Sequence, residues 1–262
     1  MTLQEKNVFL LDMDGTIYLG DELIEGAKDF LAALRNKGKR YIFLTNNSSK
    51  NKEVYVEKLN RLGIDATEEE VFTSGEATTI HLNKKKPGAK VYLLGTPALE
   101  KEFIDAGFVI EKARKKDVDY VVLGFDTTLT YEKIWGACEY IATGVEYIAT
   151  HPDFVCPLPN NEFMPDAGAM AAMIEAATGK TPKVMGKPNK QVVESIALKY
   201  GLDKGDMAMV GDRLYTDVQT GNNAGIASVI VFSGETKKED YEQSSIRATF
   251  AYPSVKEMID EI

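Results

Sequence analysis

Residues 8–16 read VFLLDMDGT, and this stretch decides the fold. The apolar residues Val8, Phe9, Leu10 and Leu11 stop abruptly at Asp12, and residues 27–34 then repeat apolar side chains at helical spacing before Gly38. A continuous apolar run, unlike an alternating one, marks a strand buried on both faces, as in a parallel sheet with helices packed on each side. The opening unit is therefore strand, loop, helix, with two carboxylates in the loop.

The same pattern recurs further along. Residues 41–44 end in Thr45-Asn46-Asn47 and lead into a helix-prone stretch, 52–62, closed by Gly63. Later runs at 184–186 and 207–210 precede helical stretches at 191–200 and after Asp217. Between them lies a self-sufficient block with strand-like runs at 91–94, 120–123 and 147–149, and helical stretches at 98–106, 132–142 and 170–177. The expectation is an α/β protein with a parallel-sheet core domain formed by residues 1–78 and 181–262. A second α/β domain, residues 79–180, is inserted into it, with crossings near Ser74-Gly75 and Thr181-Pro182.

Composition narrows the function. The chain of 262 residues carries 40 acidic against 31 basic side chains, a net charge of -9, without a long run of either sign. That argues against a nucleic-acid groove, which needs clustered Lys and Arg. No apolar run approaches the ~20 residues of a membrane span, and the first residues lack a basic and then apolar leader, so a cytoplasmic protein with no membrane partner is expected. Cys138 and Cys156 stand in separate segments and suggest neither a disulfide framework nor a zinc site. A small anionic substrate stays compatible with the acidic chain, because a cation and a few donors reverse the sign of one pocket. A homo-oligomer is compatible with the sequence as well.

In open α/β sheets, ligands sit beyond the carboxyl ends of the strands, so the residues after each apolar run should converge. Here those residues are Asp12-Met13-Asp14-Gly15-Thr16, Thr45-Asn46-Asn47-Ser48, Gly186-Lys187-Pro188, and the stretch from Gly211-Asp212 to Asp217. Two carboxylates two positions apart suit covalent phosphoryl transfer, one attacking and the other handling the leaving group's proton. An anionic nucleophile repels a phosphate by roughly 4 kcal/mol at about 4 Å in an effective dielectric near 20, an obstacle that a hard divalent cation removes. Asp12 and Asp212 are its natural ligands. Lys187, Thr45 and amides near Gly15 and Asn46 would hold the phosphoryl oxygens.

In this order the motifs resemble those of the haloacid dehalogenase superfamily. The insert between the second and third motifs, with Leu44-Thr45-Asn46-Asn47, Gly124-Phe125-Asp126 and Gly186-Lys187-Pro188, resembles the NagD-like, p-nitrophenyl phosphatase branch with a type C2 cap. The resemblance covers nearly the whole chain. It implies a Rossmann-like core with an α/β C2-type cap, and phosphate monoester hydrolysis through an aspartyl-phosphate. By the same resemblance Asp12 is the nucleophile and Asp14 the general acid and then base. Asp12, the carbonyl of Asp14 and Asp212 bind Mg2+, with Asp217 outside them ordering waters or Lys187. The expected substrate is a small phosphorylated metabolite, such as a nucleoside monophosphate, a sugar phosphate or phosphoglycolate.

Plainer roles exist for each residue alone. Asp12 and Asp14 make a turn with Gly15, Thr45 to Ser48 cap a helix, Lys187 is a surface lysine, and Asp212 and Asp217 are a turn residue and a helix-dipole carboxylate. Their joint occurrence, in order and each after an apolar run, is what favours the site. Within the insert, His151 and Asp166 are candidate substrate contacts, Asp166 standing where relatives tend to carry a small-residue run. A phosphomutase and a catalytically silent phosphometabolite-binding module are the alternative functions. A dehalogenase is disfavoured because Asp14 supplies an acid and base that carbon–halogen cleavage does not need.

Overall fold

The computed structural model describes residues 2–158 and 162–262. Two compact units are formed, one from Met1–Thr45, Lys52–Phe72 and Lys187–Ile262, the other from Asn46–Asn51 and Thr73–Gly186.

The first unit is organised by a six-stranded parallel sheet. Its order is Phe250–Tyr252, Ala227–Val231, Met207–Gly211, Val8–Leu11, Arg40–Thr45 and Val71–Thr73. Val8–Leu11 is central: Val8 pairs with Met207 on one side and Arg40 on the other. All four of its side chains are buried, which is why the segment reads as an unbroken apolar run. Helix Ala27–Asn36 buries Ala27, Phe30, Leu31 and Leu34, the i, i+3, i+4, i+7 face that an amphipathic helix offers a sheet. Phe30 meets Phe9 edge-on, with ring centroids 6.4 Å apart.

A parallel five-stranded sheet organises the second unit, in the order Lys183–Val184, Glu146–Ala149, Tyr120–Leu123, Lys90–Leu94 and Val109–Glu111. Alternate residues feed two cores. Val91, Leu93 and Val122 pack with Leu99 and Phe103, while Tyr92, Leu94 and Val121 pack with Ala137, Tyr140 and Ile174. An antiparallel pair, Val155–Pro157 with Phe163–Pro165, precedes helix Ala167–Thr178.

One strand departs from the expectation. The run at 184–186, expected in the core sheet, continues the second sheet instead: Lys183 pairs with Ile148 and Val184 with Ala149, and the amides of Met185 and Gly186 donate to Ala149 and Thr150. Met185 explains the choice, because its wholly buried side chain packs in the second unit's core with Leu82 and Ile148. Among the described residues no helix is long and apolar enough to cross a membrane.

Candidate active site

The two central strands of the first unit end in the key carboxylates. Asp12 keeps the ladder for one more bond, its amide donating to Val210 at 2.9 Å, and then the chain turns. The Met13 carbonyl accepts from the amides of Ile17 at 2.9 Å and Tyr18 at 3.1 Å, which folds the segment back on itself. Gly15 takes φ +84° in this turn, and a Cβ there would lie 2.3 Å from Asp212 Oδ2. Glycine is thus required twice over, by conformation and by the approach of Asp212. Asp14 stands exposed at the same turn.

Asp212 follows the end of strand Met207–Gly211 and is only 2% exposed. Its Oδ2 accepts from the Glu235 amide at 2.7 Å, and its carbonyl accepts from the Thr236 amide at 3.2 Å. Its Oδ1 is buried without a hydrogen-bond partner. Beyond it, Leu214–Val218 form a π-helical turn, a local widening often found at functional sites. There Asp217 accepts from the Arg213 amide through Oδ2 at 3.0 Å and from Lys187 Nζ through Oδ1 at 2.7 Å. Lys187, 3% exposed, also donates to Asp12 Oδ1.

One oxygen from each of Asp12, Asp212 and Asp217 falls within 4.8 Å of the others. Burial pulls the Lys187 ammonium down, but Asp12 and Asp217 more than offset it and hold the proton on, well above the usual lysine range. For Asp12, burial dominates: despite the pull of Lys187, it and the neighbouring Asp217 and Asp212 push the carboxyl up to about 8. Burial and Asp217 raise Asp212 to about 6, the Glu235 amide pulling it back. Three carboxylates around one ammonium are therefore short of positive charge. The unpartnered Oδ1 of Asp212 beside Asp12 is an oxygen-only donor set that fits a hard divalent cation. Asp217 already has both oxygens engaged by Lys187 and Arg213.

Of the residues singled out in the sequence, Asp12, Lys187, Asp212 and Asp217 are brought into this one cluster. Thr45 ends the adjacent strand of the same sheet. Asn46, His151 and Asp166 belong to the second unit, where Asn46 Nδ2 donates to Asp153 at 3.1 Å and Ser74 Oγ donates to the Asn46 carbonyl. His151 and Asp166 pair with each other at 2.8 Å in its interior.

Sequence reasoning missed the loop after strand Ala227–Val231. Ser233 Oγ donates to the Gly15 carbonyl at 2.7 Å, Glu235 holds Asp212 by its amide, and its carboxylate pairs with Arg213 Nε at 2.9 Å. The signal was present, since residues 229–232 are another apolar run followed by a polar loop. Gly234 is its tightest point: a Cβ would lie 2.0 Å from Asp212 Oδ2. Gly234→Ala should displace Asp212 and weaken divalent-cation binding by about 10- to 100-fold, the range seen when groups that orient metal ligands are lost. Calorimetric titration with magnesium measures this, and an unchanged affinity would show that the loop does not set Asp212.

Comparison with known proteins places the chain in a family. Residues 9–109 match the family described as haloacid dehalogenase-like hydrolase, and residues 184–258 match a HAD-hydrolase-like family. An acid sugar phosphatase of Staphylococcus aureus is 37% identical over 260 residues, 99% of each chain. The crystal structure of a 4-nitrophenylphosphatase from Thermotoga maritima is 47% identical, with a TM-score of 0.93 over 98% of both chains. A glycerol phosphate phosphatase from Mycobacterium tuberculosis, crystallised with magnesium, is 29% identical with a TM-score of 0.92, covering 100% of this chain and 80% of that one.

Proposed function

From a chain that belongs to the haloacid dehalogenase-like hydrolases, in their NagD-like and p-nitrophenyl phosphatase branch, and is a phosphatase acting on small phosphate monoesters, we propose a magnesium-dependent sugar- or polyol-phosphate hydrolase working through a phosphorylated Asp12. The observation that carries the mechanism is the buried Lys187 shared by Asp12 and Asp217 beside the unpartnered Oδ1 of Asp212. The substrate class rests on the acid sugar phosphatase and glycerol phosphate phosphatase relatives.

In the proposed reaction Asp12 attacks phosphorus in line, and the Asp14 carboxyl gives its proton to the departing oxygen. Asp14 then takes a proton from the water that cleaves the acyl phosphate. Lys187, with Thr45 and the amide of Asn46, holds the phosphoryl oxygens as charge builds on them, while Asp217 keeps the ammonium of Lys187 aimed. Asp12, Asp212 and the carbonyl of Asp14 would hold the magnesium ion, which supplies charge neutralisation when bound. Choice among substrates is assigned to the inserted α/β domain, residues 79–180 in the sequence reading, since the core residues recognise only the phosphate.

The test is a panel of sugar phosphates, polyol phosphates, nucleoside monophosphates and phosphoglycolate, ranked by kcat/KM with magnesium. Sugar or polyol phosphates should lead by at least about tenfold, a difference of ~1.4 kcal/mol in transition-state binding. A nucleotide at the head of the ranking would overturn the substrate class while leaving the chemistry intact.

A further inference from the structure

A chain of buried hydrogen bonds runs through the second unit and includes none of the groups that carry the proposed bond-making steps. The Phe125 amide donates to Ser48 Oγ at 2.9 Å, and Ser48 Oγ lies 2.9 Å from Thr150 Oγ1. Thr150 Oγ1 is 2.9 Å from His151 Nδ1, and His151 Nε2 is 2.8 Å from Asp166 Oδ1, which also accepts from the Ala167 amide at 2.6 Å. Ser48, Thr150 and His151 are wholly buried, and Asp166 is 3% exposed.

With a neutral imidazole, the Asp166 end sets the direction of every link. An amide only donates, and a carboxylate only accepts. Each hydroxyl has one hydrogen, so Ser48 gives its hydrogen to Thr150, Thr150 gives its own to His151 Nδ1, and the imidazole presents Nε2–H to Asp166. His151 is the turning point, because its ring is bonded on both sides, to Thr150 through Nδ1 and to Asp166 through Nε2.

What the chain holds is the segment Asn46–Asn51, which the second unit draws from between two pieces of the first and which starts one peptide bond after Thr45. Further anchors act on it: Thr96 Oγ1 donates to the Ser49 carbonyl at 2.9 Å, and Asn46 is held by Ser74 and Asp153. The other end of the chain is the N-cap of helix Ala167–Thr178, itself fixed by the Gly168 amide donating to Asp153 at 2.8 Å. Asp153 and Asp166 thus tie the helix start and the loop to the same short stretch around His151.

We propose that His151, oriented by Asp166, is a positioning residue for the loop Asn46–Asn51, fixing through Thr150 and Ser48 the backbone that follows Thr45 in its phosphate-gripping conformation. This rests on the proposed assignment of Thr45 and Asn46 to the phosphoryl group. It gives two residues first considered as substrate contacts a role exerted from the interior.

The experiment compares Thr150→Val, which keeps the shape but loses the hydroxyl, Thr150→Ser, which keeps the hydroxyl, and His151→Ala, each alone and combined with Asn46→Ala. The readouts are the inhibition constant of inorganic phosphate against p-nitrophenyl phosphate hydrolysis, kcat and KM separately, and the melting temperature. Thr150→Val and His151→Ala should each weaken phosphate binding about tenfold, Thr150→Ser should restore it, and neither should add to the loss already caused by Asn46→Ala. A lowered melting temperature with unchanged phosphate inhibition, or losses that multiply with Asn46→Ala, would assign the chain to stability alone and overturn the proposal. If His151→Ala does not fold, the Thr150 pair decides by itself. Thr45→Ala and Asn46→Ala separate the two levels. Asn46→Ala keeps the backbone amide but releases its Asp153 anchor, so it reports on how the loop is placed, while Thr45→Ala removes a gripping hydroxyl. If neither changes phosphate inhibition, neither the hydroxyl nor the placement of the Asn46 amide matters to phosphate, and the underlying assignment falls with the proposal. If they weaken it while Thr150→Val does not, only the positioning role fails.

Discussion

Asp12→Asn should leave a folded protein whose turnover has fallen by at least about 10^4-fold, the scale on which loss of a nucleophile is felt. The asparagine amide has the shape of the carboxylate but no lone pair basic enough to attack phosphorus. Folding should survive, because Lys187 keeps its second partner, Asp217, at 2.7 Å and is not left as an uncompensated buried charge. Asp14→Ala should fail differently. With a leaving group that is already a weak base, Asp12 is still phosphorylated, but the acyl phosphate lacks the base that hydrolyses it and accumulates. Intact-protein mass after rapid mixing and acid quench, followed by peptide mapping, should show one phosphate on Asp12 in Asp14→Ala and none in Asp12→Asn. Retained turnover by Asp12→Asn, with deamidation excluded, would rule out the nucleophile.

Removing divalent cations should abolish turnover, and magnesium should restore it. Asp12, Asp212 and Asp217 crowd three oxygens within 4.8 Å of one another around one lysine, so an incoming phosphate meets net negative charge unless a cation is bound. Asp212→Asn should weaken magnesium binding by about 10- to 100-fold while the protein stays folded. A pH dependence follows. Without metal, Asp212 is held at about 6 and Asp12 at about 8, so both bind protons more readily than ordinary aspartates do. Protons and magnesium compete for these oxygens, and raising the pH removes the protons. Affinity should therefore climb between about pH 6 and 8, with protons released on binding. Calorimetry in two buffers of different ionisation enthalpy measures that release. Full turnover after exhaustive chelation, or a magnesium affinity flat across this window, would contradict the site.

How much of this was legible in the sequence depended on whether the signal was local. Val8–Leu11 and Met207–Gly211 are buried on both faces, so each announces itself as an apolar run, and the carboxylate after each run follows from the rule for open sheets. The second sheet's strands at Tyr120–Leu123 and Glu146–Ala149 were legible for the same reason. Lys183–Val184 was misassigned because its paired span is two residues and what decides its sheet is where Met185 buries its side chain, which no local pattern reveals. The loop carrying Gly234 and Glu235 has an ordinary polar sequence, and its role arises only where strand Ala227–Val231 lies beside Met207–Gly211. His151 and Asp166 stand fifteen positions apart, and the paired strands Val155–Pro157 and Phe163–Pro165 close that gap.

The pairing of Val8 with Met207 also sets an order of events during synthesis. The first strand leaves the ribosome early, yet its partner follows after about 200 residues, roughly 10–40 s later at ordinary elongation rates. The second sheet, by contrast, is drawn entirely from residues 90–184 and closes over much shorter separations. The second unit's sheet can therefore form first, while the first unit's sheet waits with its central strand unpaired on one edge. A nascent chain stalled before Met207 would hold a finished second sheet and only one flank of the first, with the apolar edge of Val8–Leu11 open to chaperones and to other chains.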